Sequence, residues 1–345
     1  MNTHSTGSDH AEFDPFAKER ELKQDSDTWD TRRPQDAEPG DIPVINLQAY
    51  FDTGSREALD QVAAEVRVAC EEVGFFTITG HHVDSVLIEN MFAKVRQFHG
   101  MSLAEKTSIL MDRPDWPVGG VGYLPVKNRK LPARDKGNLN EAFIIKCDHQ
   151  LGMDDNQWPN EPSLPGFRDM VEQYARALTR LGKRLLPVFA CALEMPPNFF
   201  DEAFKTPLYR LRMTHYPPVK GTPDDEFGIA PHVDTTFCTI LAQDQPGLTI
   251  FSERRQQWIR APMLENAFIV NSGELLRHWT NDRFISVKHF ANNNISTTSR
   301  YSIPYFFNAN SNYTMTCIPS CCGPDNPAKY PPISYAESQA VAQGE

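Results

Sequence analysis

Beyond Pro207 the chain breaks into short apolar runs, LYRLRMTHY, TFCTILAQ, LTIF, WIRA, AFIVNS, ISVKHFA, RYSIPYFF and YTMTCI, each bounded by turn-forming residues. Runs of this length, rich in β-branched and aromatic residues and cut by Gly, Pro, Asn and Asp, specify strands. So many short strands with frequent turns point to a sandwich or jelly roll, architectures that manage their edges.

The first half reads differently. Residues 1–40 are polar, charged and poor in β-branched residues, so they are expected to be a disordered tail. Ile42–Leu47 suits a strand, and the stretch from Ser55 to Gly74 places Leu59, Val62, Val66 and Cys70 on one helical face. GFFTITG follows as a glycine-bounded strand, then a helix with Leu87, Met91, Val95 and Phe98, and a short one near SLAEKTSIL. Residues 111–140 are rich in Pro and Gly and read as a long loop whose Lys127, Arg129, Lys130, Arg134 and Lys136 could receive an acidic substrate. Residues 164–194 carry the longest helical pattern, a scaffold to pack on a sheet. Helices that need a sheet to cover, with no obvious linker, make 41–345 a single domain: a helix-rich part (41–206), a β core (207–320) and a C-terminal tail (321–345).

Charge and cysteine usage narrow the function. A net charge of −11 with scattered cations argues against nucleic acid. No run of about eighteen apolar residues predicts a membrane span, and the N-terminus has no secretory pattern. Seven cysteines without a CxxC fit free thiols in a reducing compartment. A cytoplasmic protein, monomeric or weakly self-associating and acting on a small molecule, is expected. Cys317, Cys321 and Cys322 lack a histidine at zinc-finger spacing, and Cys238 shares the parity of His232 and Asp234, though as a small buried hydrophobe.

Chemistry is concentrated in one ordered set: His232, Asp234, His289, then Arg300 and Ser302. Residues two apart on a strand project from the same side, so His232 with Asp234, and Arg300 with Ser302, each make a local pair. Two imidazoles and one carboxylate are the donors that hold a non-haem ferrous ion on one face, leaving positions for dioxygen and an organic acid. An inward arginine must be paired, and its guanidinium fork binds a carboxylate in two places. The tripeptide His-Val-Asp also occurs at 82–84, where Asp84 or Ser85 precedes a helical run and reads as an N-cap. Nothing downstream of that first copy supplies a histidine followed at the right distance by an Arg-x-Ser strand.

With these residues in place the chain resembles the 2-oxoglutarate and iron-dependent dioxygenases of the isopenicillin N synthase-like family, from about 42 to 335. The resemblance is carried by IPVINL at 42, GFFTITGHHV at 74, LRMTHYPP at 211, PHVDTTFCTILAQD at 231, GLTI at 247, AFIVNSGELLRHWTNDRFISVKHF at 267 and RYSIPYFF at 300. It implies a double-stranded β-helix core (jelly roll, cupin-like) in a mainly β fold with flanking helices. It further implies Fe(II) on His232, Asp234 and His289, and 2-oxoglutarate on Arg300 and Ser302 with Tyr216 hydrogen-bonded to it. Dioxygen is the oxidant, and ascorbate supports turnover in vitro. Where many relatives have asparagine two residues before that tyrosine this chain has Thr214, and Glu274 follows Gly273 in place of aspartate. The implied reaction is oxidative decarboxylation of 2-oxoglutarate coupled to hydroxylation, desaturation or cyclisation of a secondary metabolite or catabolic intermediate. Phe306, Met213, Tyr123 and Phe143 are expected beside that substrate. The alternatives are an oxidase of the same fold that does not use 2-oxoglutarate, and a non-catalytic small-molecule binding protein.

Overall fold

The structure is a computed structural model that describes residues 34–116, 118–127, 136–147, 153–220 and 226–338. Two sheets dominate it. The larger runs, in spatial order, β2 (Val44–Asn46), β3 (Phe75–Thr79), β11 (Phe268–Ser272), β8 (Cys238–Gln243), β13 (Arg300–Asn308), β6 (Leu208–Tyr216), β5 (Glu141–Cys147) and β4 (Gly122–Leu124). The smaller runs β1 (Gln35–Asp36), β10 (Gln257–Arg260), β9 (Leu248–Ser252), β12 (His289–Ala291) and β7 (Ile229–His232). Pairing is antiparallel except at β2–β3 and β1–β10. The chain alternates between sheets, as a jelly roll requires.

Each sheet face has its own core. Phe75, Ile250, Trp258, Ile269 and Phe290 bury one another between the sheets. On the outer face of the large sheet Tyr301, Ile303, Tyr305 and Phe307 of β13 join Leu178, Leu181 and Leu185 of the helix Phe167–Ala192. That helix approaches closely: a Cβ on Gly182 would come within 3.0 Å of the Phe307 ring. Thr179 and Tyr305 also share a hydrogen bond of 2.6 Å. Period-two alternation therefore sends Arg300, Ser302, Pro304 and Phe306 to the opposite, inter-sheet side.

The helices Arg56–Glu72 and Ser85–His99 bury the residues their periodicity predicts, among them Leu59, Val62, Val66, Met91, Val95 and Phe98. Asp84 caps the second, accepting from the Val86 N–H at 2.9 Å, so the first His-Val-Asp is a capping feature.

Three boundaries move. Pairing begins ahead of Asp41, because Gln35 and Asp36 lie beside Ile259 and Arg260 and the Asp41 carboxylate holds Arg254 and Arg255. Residues 1–33 of the expected tail lie outside the described residues. Gly122–Leu124, inside the expected loop, is a strand because β5 offers it an edge. The helix-rich part contributes β2, β3, β4 and β5, half of the large sheet. Cys238 faces Phe307 in the helix-side core and points away from His232, because the chain changes sheets between β7 and β8 and parity does not carry across.

Candidate metal centre and co-substrate site

His289 sits directly opposite His232 across the β12–β7 pair, and their rings are 4.3 Å apart. Each ring is held in the same way: His232 Nδ1 faces the Ala230 carbonyl at 2.9 Å and His289 Nδ1 faces that of Val287 at 3.0 Å. A carbonyl partner keeps the hydrogen on Nδ1 and turns the Nε2 lone pair toward the shared centre. Burial, followed by the neighbouring His289, lowers the His232 pKa to about 4, so the ring is a neutral donor at neutral pH. The Arg212 cation contributes to the same lowering.

Asp234 completes the set from an unexpected place. Strand β7 ends at His232, and Asp234 lies in the turn that carries the chain to β8. The turn is pinned where Gly273 N donates to Phe237 O at 3.1 Å and Glu274 N to Asp234 O at 2.7 Å. A Cβ on Gly273 would stand 2.1 Å from Thr236 O, so only glycine permits this approach. Oδ2 of Asp234 accepts from Thr239 at 2.6 Å and Asn271 at 3.0 Å, while Oδ1 lies 3.7 Å from the Nε2 atoms of both histidines. Burial works to raise the Asp234 pKa, but the two histidines and these hydrogen bonds outweigh it and hold the carboxyl below its usual range. One oxygen is thus occupied and the other free to join two nitrogen donors, a set that suits a divalent cation with open positions.

Beside this centre Arg300 and Ser302 face inward from β13, paired with Tyr216 and Thr214 on β6. The guanidinium donates from Nε to Gln245 O and from Nη2 to Gln243 Oε1, both at 3.0 Å, and lies 4.5 Å over the Tyr216 ring. Tyr216 and Ser302 hydroxyls are 3.4 Å apart. Among the described residues Arg300 Nη1, Thr214 Oγ1 and Gln243 Nε2 are buried without a partner. Three converging orphans are costly unless an anion fills the space, as the carboxylate of an organic acid would. Gly247 makes the room: a Cβ there would sit 2.5 Å from Arg300 Nε. Gln243 and Gly247 escaped sequence reasoning because cross-strand register gathers them, and Thr214 was noted there only as a departure from the asparagine of many relatives. The parity of Thr214 with Tyr216 is the sequence signal that places it on the same face.

The expected substrate residues divide. Phe306 lies inward and half-buried, two positions beyond Pro304. Met213, Tyr123 and Phe143 form one cross-strand row on the other face, packed under the helices; Phe143 meets Phe98 at 4.7 Å. They alternate with, and so oppose, the inward residues, which removes them from the substrate side.

A second trio, His99, Glu141 and His215, also brings its donor atoms together. Here the cation is already supplied: Lys106 Nζ donates to Glu141 at 2.9 Å, the Tyr123 hydroxyl donates to the same oxygen, and His215 Nδ1 is 2.7 Å away. The trio is a buried ion network rather than an empty coordination site. Of the loop cations, Lys127 lies 3.6 Å from Glu226, and Arg129, Lys130 and Arg134 fall outside the described residues.

A family profile described as the 2OG-Fe(II) oxygenase superfamily matches residues 207–309, and one described as non-haem dioxygenase in morphine synthesis N-terminal matches 42–161. The 2-oxoglutarate-Fe(II) type oxidoreductase hxnY of Emericella nidulans is 31% identical over 310 residues, covering 86% of this chain and 87% of the relative. The chain belongs to the 2-oxoglutarate- and Fe(II)-dependent oxygenase superfamily. This dioxygenase requires Fe(II), 2-oxoglutarate and dioxygen. The 2-oxoglutarate-dependent dioxygenase caaD of Aspergillus niger is 30% identical over 287 residues, 81% of this chain and 88% of that one. Kihadalactone A synthase LFS of Citrus sinensis is 31% identical, with 86% and 91% covered. A full-length Neurospora crassa protein crystallised with alpha-KG shares the jelly-roll fold, with a TM-score of 0.79, 23% identity and coverage of 90% of this chain and 99% of that one. The described helices of this dioxygenase include none long and apolar enough to cross a membrane.

Proposed function

We propose that His232, Asp234 and His289 hold the Fe(II), and that Arg300 and Ser302, with Tyr216 beside them, hold the distal carboxylate of 2-oxoglutarate. The observation that carries this reading is that three donor atoms converge on one point, with a buried Arg300 Nη1 that has no partner among the described residues. Bound iron supplies the redox chemistry that places one atom of dioxygen in the substrate and the other in succinate, with loss of carbon dioxide. The chain's own part is to orient and to exclude water. The carbonyls of Ala230 and Val287 fix the two imidazoles, Thr239 and Asn271 fix one Asp234 oxygen, and Gly247 leaves the guanidinium its place. Phe306 and the adjoining inward residues of β6 then form the substrate side.

The substrate in this reading is a small, partly apolar organic molecule of secondary metabolism or catabolism, and hydroxylation is the default outcome. Relatives named for such chemistry, a plant lactone synthase among them, support it. Residues 41–345 act as one unit, in the cytoplasm, as a monomer or weak homo-oligomer.

His232→Ala is expected to abolish Mn(II) binding measured by electron paramagnetic resonance while circular dichroism stays native. Retained stoichiometric binding would refute the ligand set. Succinate release that requires added 2-oxoglutarate supports the co-substrate assignment, whereas oxygen consumption independent of it would favour an oxidase of the same fold.

A further inference from the structure

The turn that carries Asp234 is held from behind by the short helix Glu274–Trp279, and the C-terminal segment holds that helix in its turn. The Glu274 and Leu275 N–H groups donate to the carbonyls of Asp234 and Thr236 at 2.7 and 3.2 Å. The Glu274 side chain is buried, and the guanidinium of Arg277 forks onto its carboxylate, Nε 3.1 Å from Oε1 and Nη2 2.8 Å from Oε2. The remaining nitrogen, Nη1, donates to the Tyr330 hydroxyl at 2.8 Å and to Asp282 Oδ1. Tyr330 donates to that same Asp282 oxygen at 2.8 Å, and Lys329 Nζ reaches the other at 2.9 Å. The Tyr330 ring also lies 4.1 Å from that of His278 on the helix. A buried carboxylate is tolerated only with its counter-charge in place, so the seat of Glu274 depends on Arg277, and the orientation of Arg277 on Asp282 and Tyr330. The consequence reaches Asp234, whose Oδ1 stands 3.7 Å from both histidine Nε2 atoms. A small shift of the turn would spoil that convergence, because a coordination set is only as exact as the groups that orient its ligands.

We infer that Arg277 and Tyr330 are positioning residues for the metal: acting through Glu274, they fix the turn that presents Asp234 and so set the affinity for the divalent cation. They work through the Asp234 backbone rather than by contact with the cation. A network that served stability alone would lower the unfolding midpoint when broken and leave the metal affinity of the folded protein as it was. The inference rests on the assignment of Asp234 as a metal ligand above.

The test titrates Mn(II) into the full chain and reads the free ion by electron paramagnetic resonance, which needs no turnover. Arg277→Gln is expected to weaken Mn(II) binding about tenfold. Tyr330→Phe, which keeps the ring against His278 and removes only the hydroxyl, should weaken it about threefold. Glu141→Gln, in the helix-side ion network, is the control: it lowers the urea midpoint and leaves the Mn(II) affinity of the folded protein unchanged. Every titration is made where circular dichroism shows the native fold. Wild-type affinity in Arg277→Gln or, where that variant does not fold, in Tyr330→Phe would overturn the inference. So would an equal loss of affinity in Glu141→Gln, which would make the effect one of general destabilisation. Asp234→Ala tests the underlying assignment separately: if it binds Mn(II) as the wild type does, the ligand set itself is wrong and the inference falls with it.

Discussion

Gly247 and Gly273 show how single residues set this site. Neither carries a functional group, yet a methyl on either would enter space already taken by Arg300 or by the Thr236 carbonyl. Gly247→Ala is expected to displace the guanidinium and weaken 2-oxoglutarate binding about tenfold or more, since one charge-assisted hydrogen bond contributes about 1.5–3 kcal/mol. Titration calorimetry with Mn(II)-loaded protein measures it, and wild-type affinity would show that the guanidinium has another place to go. Thr214→Val, which removes a buried hydroxyl without a described partner, should leave apo stability nearly unchanged or slightly raised while lowering 2-oxoglutarate affinity. Unfolding and binding titrations on the same preparation separate the two effects. The pairs His232-x-Asp234 and Arg300-x-Ser302 were legible as candidates in the sequence because their spacing is local. The glycines were not, since what forbids a side chain there lies on another strand.

Strands β5 and β6 present the proposed site on one face and a helix-packed ion network on the other. Inward lie Thr214, Arg212 and Arg210; outward lie His215 and Glu141, beneath the helix Ser85–His99 that supplies His99. Glu141 gathers Lys106, Tyr123 and His215, all at least partly buried, so Glu141→Gln would leave a lysine without its counter-charge. The expected cost is about 3–5 kcal/mol, read as a lower urea midpoint. Acid acts on the same layer. Burial lowers the His99 pKa beneath its ordinary 6.5, so its contribution to stability is present above that value and declines as the pH falls through the folded pKa. For Glu141 burial works upward, but the hydrogen bond with His215 and the neighbouring His99 prevail and hold the carboxyl well below its ordinary 4.5; its contribution is lost only on further acidification. Urea midpoints of the wild type should therefore fall from about pH 6.5 downward, and a flat profile to about pH 4 would contradict the network's role. Amphipathic period announced the helices and strands, but it could not say which face of β5 and β6 meets helix and which meets cavity. Both faces contain polar residues, and so Met213, Tyr123 and Phe143 were read onto the wrong one.

Across the whole molecule the candidate donors bridge the sandwich. His232 and His289 stand on the smaller sheet, Arg300 and Ser302 on the larger, and Asp234 in the turn between them. Filling the site should therefore stabilise the entire fold. Mn(II) and 2-oxoglutarate, each at about one hundred times its dissociation constant, are expected to add about 2.7 kcal/mol apiece, seen as a rise of several degrees in the melting temperature that EDTA reverses. An unchanged melting curve would mean that the folded chain binds neither ligand. By itself the sequence pointed to the jelly roll, the covering helices, a cap at Asp84 or Ser85 and a set of candidate metal and co-substrate residues, because periodicity and two-residue spacing are properties of a local stretch of chain. Tertiary structure alone decided that Asp234 arrives from a turn, that two glycines clear the guanidinium and the turn, and that Arg210, Arg212 and Lys146 share an inner face. Those facts depend on register between strands distant in sequence, and register is fixed only when both sheets and the helix layer bury their faces together.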